Sequence, residues 1–354
     1  MKLATIICEF NPLHTGHKKL IDFAKTIADK VVCIMSGNFT QRGMPACADK
    51  FSRAKHAILA GADLVVELPT VYATASAENF AYGGVAIANK LHADYLVFGS
   101  ECGDIDTLNN CVDNILNDET NQRIKQEVSK GVSYPKAVAN AMGLSVLESP
   151  NNVLAIEYLK ALRNSKSTIV PVTISREDNY NSNIPQQYAS SSAIRNDKSL
   201  GSTYSFDYVL QDVDNGIEKK FCDIIPSFLA VASKEQMEQI EGVTEGLHNR
   251  IFDADKAHGY DKMFAEIKTK RYTQLKLQRV FLNQILGITK QIAKQSKKQT
   301  PMVKILAVNT NSVNLLNGIT NESDEITQRA DRLYSTLSGK IPPTKLLKID
   351  CCIT

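Results

Sequence analysis

Short apolar runs that alternate with helical periodicity limit most strongly what this chain can fold into. Leu3 to Cys8, Val31 to Met35, Leu64 to Leu68, Tyr95 to Phe98 and Thr168 to Ile174 are largely apolar. Runs of that kind, without polar alternation, fit strands covered on both faces. Between them the spacing turns helical, as with Leu20, Ile21, Ala24, Ile27 and Ala28 after the first run. A helix is expected from about Asp49 to Ala60, capped by Asp49 and stopped at Gly61, and another over 77–90. Ser149-Pro150 begins a further helix, with Ser as its cap and Pro in its first turn. Pro171 puts the fifth run at a sheet edge or a bulge. Repeated strand–helix–strand units imply an α/β fold, a doubly wound parallel sheet with right-handed crossovers.

Residues 104–146 read as a polar-faced helical insertion. Beyond about residue 200 the strand alternation stops, and residues 216–300 are mostly helical in pattern. One short strand, Lys304 to Val308, and a helix near 325–337 follow. Residues 268–304 hold ten Lys or Arg and no Asp or Glu. With a formal charge of only +3 over 354 residues, a nucleic-acid signal has to come from such local clustering. None of the eight cysteines forms a C-x-x-C pair, so no zinc site of the usual spacing is indicated. The amino terminus opens directly on a strand without a signal-peptide pattern, and no apolar segment approaches a membrane span. A cytoplasmic chain with reduced thiols is expected, with no membrane partner.

The first apolar run leads into Glu9-Phe-Asn-Pro-Leu-His14-Thr-Gly16-His17, a strand-to-helix turn. In an open α/β sheet, ligands gather at such turns. Three readings of the two histidines stand at this point. As a metal pair they lack a third ligand, since His56, His92, His248 and His258 are scattered. They also serve as plain caps of the turn. As a phosphate site they fit the context: helix-start N–H groups favour anions, Gly16 allows close approach, and imidazoles donate to phosphate oxygens. Ser190-Ser-Ser-Ala-Ile-Arg195 is a second helix start. Its hydroxyls suit capping, and with the forked donor Arg195 they also suit a phosphate cradle.

Taken together, His14-x-Gly-His17 and Ser191-Ser-Ala-Ile-Arg195 resemble the nucleotidyltransferase superfamily with an H-x-G-H turn and a serine-rich S-S-x-x-I-R turn. More narrowly, the chain resembles the bacterial tRNA-Met cytidine acetate ligase family. The likeness rests on Glu9 to His17, Met35 to Gly43, Glu67-Leu-Pro69, Phe98 to Glu101, Pro150 to Tyr158, Ser190 to Arg195 and Lys270 to Thr273, in order along most of the chain. Phe10, Leu13 and Thr15 stand where that family more often has Tyr, Phe and Asn, and the last 50 residues match least.

The resemblance implies that residues 1–200 are a Rossmann-like, ATP-binding catalytic domain and that 201–354 form a mainly helical, tRNA-binding region. It implies that His14, His17, Ser191 and Arg195 are catalytic. ATP would be lined by Ile7, Cys8, Glu9, Phe10, Asn11, Pro12, Leu13, His14, Thr15, Gly16, His17, Lys18, Lys19 and Leu20, with Gly99, Asn152 and Arg176. Acetate would be adenylated, and the wobble cytidine of elongator tRNA-Met would then take the acetyl group. Magnesium is expected with ATP, and DNA is not an expected partner. After the second strand, on the same rim as the histidine turn, Ser36, Asn38 and Arg42, with Lys50 and Arg53 at the start of the next helix, are candidates for a tRNA or phosphate surface, against the plain reading of polar loop and helix face. In the acid-free basic stretch Lys270 and Arg271 would meet RNA phosphates, and Tyr272 would stack on an unpaired base. Two other functions remain in play. A small-molecule adenylyltransferase shares both turns but needs neither the extra 150 residues nor the basic stretch. A non-catalytic ATP-dependent RNA-binding protein needs no intact His14, His17, Ser191 and Arg195.

Overall fold

The structure is a computed structural model that describes residues 1–130, 137–138, 140, 149–175, 189–244, 246–319, 321–340 and 347–349. Its strands are β1 (Leu3–Cys8), β2 (Lys30–Ser36), β3 (Leu64–Leu68), β4 (Tyr95–Ser100), β5 (Val170–Ser175), β6 (Lys304–Asn309) and β7 (Leu347–Ile349). Among the described residues these form one sheet in the order β5-β4-β1-β2-β3-β6-β7. The first five strands are mutually parallel, as the alternating pattern implies. Pro171 sits in β5, at the sheet's edge.

The continuous apolar strands have a direct cause. Leu3 and Ile7 of β1, with Val32 and Ile34 of β2, pack into a core beneath the helices Ala77–Lys90, Ile105–Leu116 and Pro150–Asn164. Ala4, Ile6 and Cys8, with Cys33 and Met35, pack into a second core beneath α1 (Thr15–Ile27) and α2 (Lys50–Leu59). Both faces are covered, so both sets of alternating side chains must be apolar. Asp49 caps α2 as expected, accepting the Phe51 and Ser52 N–H groups at 2.9 and 3.0 Å.

The carboxyl-terminal third is joined to the sheet. β6 pairs antiparallel with β3, and β7 runs parallel to β6, so the sheet continues past the point where sequence alternation stops. A third core unites the helices Ile217–Val231, Gln274–Leu286 and Glu325–Ser338. Phe39 and Met44, from the loop after β2, are buried in that helical core. Phe39 packs edge-on against Phe221 at 5.5 Å and Tyr334 at 6.3 Å. The helices therefore hold the 36–48 loop from behind.

Candidate active site at the first strand turn

The strand order places a topological switch at β1. The chain goes from β1 to β2 and β3 on one side, then returns to β4 and β5 on the other. The β1–β4 pairing covers only Ala4↔Tyr95 and Thr5↔Leu96, whereas β1–β2 continues to Cys8↔Met35. The carboxyl ends of β1 and β4 thus part. Such a crevice is where open α/β sheets bind ligands.

The histidine turn stands on that rim. His14 is the N-cap of α1, and its Nδ1 accepts the Gly16 N–H at 3.1 Å. The Nδ1 of His17 accepts the His14 N–H at 3.3 Å, completing a reciprocal capping box. The two rings stack with centroids 3.7 Å apart, and Phe10 meets His17 edge-on at 5.0 Å. Because both Nδ1 atoms accept, a neutral ring at either position carries its proton on Nε2. Capping and phosphate binding are therefore compatible: one nitrogen shapes the turn and the other is a donor.

The serine–arginine turn is built against this loop, through its backbone. Ser190 caps the Ser191–Asn196 helix by accepting the Ala193 N–H at 3.2 Å. Ser191 Oγ donates to the Pro12 carbonyl at 3.0 Å, and Arg195 Nη1 donates to the Asn11 carbonyl. Ser205 Oγ adds a bond to the Leu13 carbonyl at 2.7 Å. The structure brings His14, His17, Ser191 and Arg195 to one place. Arg42 joins them, donating to Ser192 Oγ at 2.8 Å.

Glu9 follows β1 directly and organises the neighbouring loop. Its Oε1 accepts the Gln41 N–H at 2.7 Å and the Ser36 hydroxyl at 3.2 Å. Burial pushes the Glu9 carboxyl above the usual carboxylate range, against the pull of the Gln41 N–H and Arg53. Asn11 Oδ1 fixes the Cys47 N–H at 2.7 Å. Along α1, Lys18 pairs with Asp22 at 2.5 Å in solvent, Lys19 is exposed, and Leu20 packs at the edge of the core.

Across the crevice, Gly99 lies in β4, and the following residues lock onto the Pro150–Asn164 helix. Asn152 Oδ1 accepts the N–H groups of Glu101 and Cys102 at 2.9 and 3.2 Å. In return the Glu101 carboxylate accepts the Asn151 and Asn152 N–H groups at 3.1 and 2.7 Å, and the Asn151 amide at 2.7 Å. Glu101, and not the side chain of Ser149, caps this helix. The need for an anion at a helix start was the signal available for Glu101. Arg176 lies outside the described residues.

Several expected contacts are overturned by burial. Lys50 is fully buried, with its Nζ 2.8 Å from Glu67 and 2.6 Å from Asp331, so it faces no phosphate surface. Arg53 is equally buried and is spent on backbone, donating to the carbonyls of Ala48, Glu9, Ser36 and Gly37. Ser36 is held by Glu9, and Asn38 by Asp331 and the Lys50 N–H. Both are buried. The helical pattern of α2 concealed this, because a long polar side chain on the wrong face looks solvated in sequence. Tyr272 is 5% exposed and packs in the helical core, with Arg271 and Lys276 over its ring at 5.8 and 5.3 Å, so it offers no face to a base. Lys268, Lys270, Arg271, Lys290, Lys294, Lys297 and Lys298 are exposed. Acids from elsewhere approach the stretch, Glu78 at 3.7 Å from Lys297 and Asp331 at 3.6 Å from Lys304.

Residues 1–352 match the family described as HIGH Nucleotidyl Transferase. The tRNA(Met) cytidine acetate ligase of Acetivibrio thermocellus is 38% identical across 91% of this chain and 86% of its own length. That of Clostridium novyi is 37% identical across 87% and 85%. The chain belongs to the tRNA(Met) cytidine acetate ligase family. Crystal structures of Thermotoga maritima TmcAL share its fold. The form bound with alpha-thio ATP superposes with a TM-score of 0.85 at 24% identity, over 99% of this chain and all of that one. An apo form gives 0.80 at 26% identity, over 99% and 90%.

Proposed function

We propose that the protein uses ATP and acetate to form N4-acetylcytidine at the wobble position of elongator tRNA-Met, in the cytoplasm. The observation that carries this reading is the junction of two turns at the switch point: His14 and His17 at the start of α1, with Ser191 and Arg195 bonded to the Pro12 and Asn11 carbonyls. In the first step an acetate oxygen attacks the α-phosphorus, the bond to the β-phosphate oxygen breaks, and pyrophosphate leaves with the electron pair. His14 and His17 donate through Nε2 to the phosphates as charge develops. Arg195 offsets charge on the leaving side. Gly99 and Asn152 line the nucleotide from the other wall, and Asn152 is already oriented by Glu101. In the second step the cytidine N4 attacks the acetyl carbonyl and AMP departs.

Magnesium is proposed to arrive on the nucleotide's β/γ oxygens; among the described residues no three His, Cys, Asp or Glu side chains converge to hold a metal. The exposed cations of 268–298, Lys270 and Arg271 among them, are proposed to attract the tRNA backbone. Support for the acceptor comes from relatives named tRNA(Met) cytidine acetate ligase. The test is incubation with ATP, magnesium, labelled acetate and an unmodified elongator tRNA-Met transcript. Label recovered in N4-acetylcytidine with AMP supports the reading. Pyrophosphate release that needs a small phosphorylated acceptor instead of acetate overturns it, and so does tRNA binding without turnover.

A further inference from the structure

Arg42 sits on a loop whose other polar residues turn inward. Ser36 and Asn38 are buried in hydrogen bonds, whereas Arg42 is exposed and reaches across to the serine turn. Its Nη2 lies 2.8 Å from Ser192 Oγ, and Arg195 Nη2 lies 3.4 Å from the same oxygen. Two guanidinium groups therefore converge on one hydroxyl. The neighbourhood is rich in donors. The buried Nε2 of Gln41, one residue earlier, has no hydrogen-bond partner. The acid beside Arg195 is Glu218, 3.5 Å from its Nε. Glu9 acts on Arg42 as Glu218 does on Arg195, so what the cluster has to spare is N–H donors, and an anion with several oxygens completes them.

We propose that Arg42, joined through Ser192 to the Arg195 already placed on the leaving side, is a second guanidinium that seats the pyrophosphate half of ATP and holds it as it leaves. This rests on the adenylation reading above. The site fits a phosphate of ATP better than one of tRNA, because Arg195 and Ser191 bond to the carbonyls of Asn11 and Pro12, just ahead of His14. Arg42 is positioned from three directions. Glu9 Oε1 fixes the Gln41 N–H, Phe39 anchors the loop in the helical core, and Gly43 turns it with a φ of +74°. A side chain at Gly43 would put its Cβ 2.5 Å from the Arg279 nitrogen, so that turn is built for glycine. On binding, Arg42 exchanges the Ser192 hydroxyl for a phosphate oxygen. As the bond to the α-phosphorus breaks, the charge gathering on the leaving group meets both guanidiniums.

The test uses the full chain and the variants Arg42→Gln and Arg42→Lys. Inorganic pyrophosphate is titrated into each by calorimetry, and acetate-dependent exchange of labelled pyrophosphate into ATP is measured beside it. Arg42→Gln is expected to weaken pyrophosphate binding about tenfold or more, the cost of a charge-assisted bond. Arg42→Lys should recover only part, lacking the fork. Circular dichroism and tRNA affinity should stay at wild-type values. Unchanged pyrophosphate binding in Arg42→Gln overturns the proposal, as does a loss confined to tRNA affinity. If wild-type exchange does not depend on acetate, the adenylation reading fails, while calorimetry still decides whether Arg42 holds pyrophosphate.

Discussion

Replacing Lys50 with methionine probes how the carboxyl-terminal helices support the site. Lys50 Nζ lies 2.8 Å from both Glu67 oxygens and 2.6 Å from Asp331, and neither Lys50 nor Glu67 has meaningful exposure. Burial pulls the Lys50 pKa down, but the two carboxylates outweigh it and hold the ammonium charged. Burial raises the Glu67 carboxyl despite Lys50. Lys50→Met leaves Glu67 without its bonded cation, and the nearest remaining ammonium is Lys304, 3.6 Å from Asp331. Removing one partner of a buried pair costs about 3–5 kcal/mol. The loss should shrink as pH falls, because burial raises the Glu67 carboxyl and a protonated Glu67 no longer needs the ammonium. Adding Glu67→Leu removes the orphaned carboxylate, and the double variant should recover most of the stability, since apolar replacement of a buried pair is often neutral. Asp331 then keeps Asn38 at 3.0 Å and Lys304 at 3.6 Å. Urea unfolding followed by circular dichroism reads this, as the chain has no tryptophan. A loss below about 1 kcal/mol in Lys50→Met, or no recovery in the double variant, would refute the reasoning.

His14→Asn keeps a side-chain acceptor for the Gly16 N–H but loses the Nε2 donor, so acetate-dependent pyrophosphate exchange should fall about 10²–10³-fold with little change in melting temperature or tRNA affinity. A larger loss of tRNA affinity than of exchange would contradict the assigned role. Glu101→Gln puts an amide donor against N–H groups that the carboxylate accepts, so the KM for ATP should rise severalfold with kcat less affected; a fall confined to kcat would argue against a positioning role. His56 is buried with Asp212 2.9 Å from its Nε2, and burial holds its pKa below the usual 6.5. Below that value the unfolded chain takes up the proton first, so stability should fall as pH drops from about 6.5, and His56→Phe should flatten that limb of a denaturation series. An unchanged slope in the variant would sink the assignment.

The parts of the fold that could be read from the sequence are those with a local signature. The strands β1 to β5 are short apolar runs, and the Asp49 and Ser190 caps sit immediately before their helices. The histidine and serine turns were visible because each is a compact motif at a helix start. Long-range pairing left no such trace. Lys304 to Asn309 shows only that it is a strand; its place beside β3, in the opposite direction, depends on the other strands being there first. Burial of Lys50 and Arg53 was equally hidden. Their partners Glu67 and Asp331, and the carbonyls of Glu9, Ser36 and Gly37, come from distant segments. For the same reason Tyr272 reads as an exposed aromatic among cations, while its ring is enclosed by the helical core.

The departures from the family pattern at Phe10, Leu13 and Thr15 fall where the site is least sensitive to side-chain identity. The serine–arginine turn reads this loop through main-chain oxygens: Arg195 at Asn11, Ser191 at Pro12 and Ser205 at Leu13. Carbonyls remain whatever side chain is attached, provided the backbone path is kept. That path is set from inside, by Phe10 and Leu13 buried in the core and by the Asn11 bond to Cys47. Phe10 also supports His17 edge-on, a contact that needs a ring but no hydroxyl. Thr15 opens α1 and has no donor or acceptor role in the capping box, which runs between His14, Gly16 and His17. The chemistry asked of the turn therefore rests on two imidazoles and a backbone trace, and both withstand these three changes.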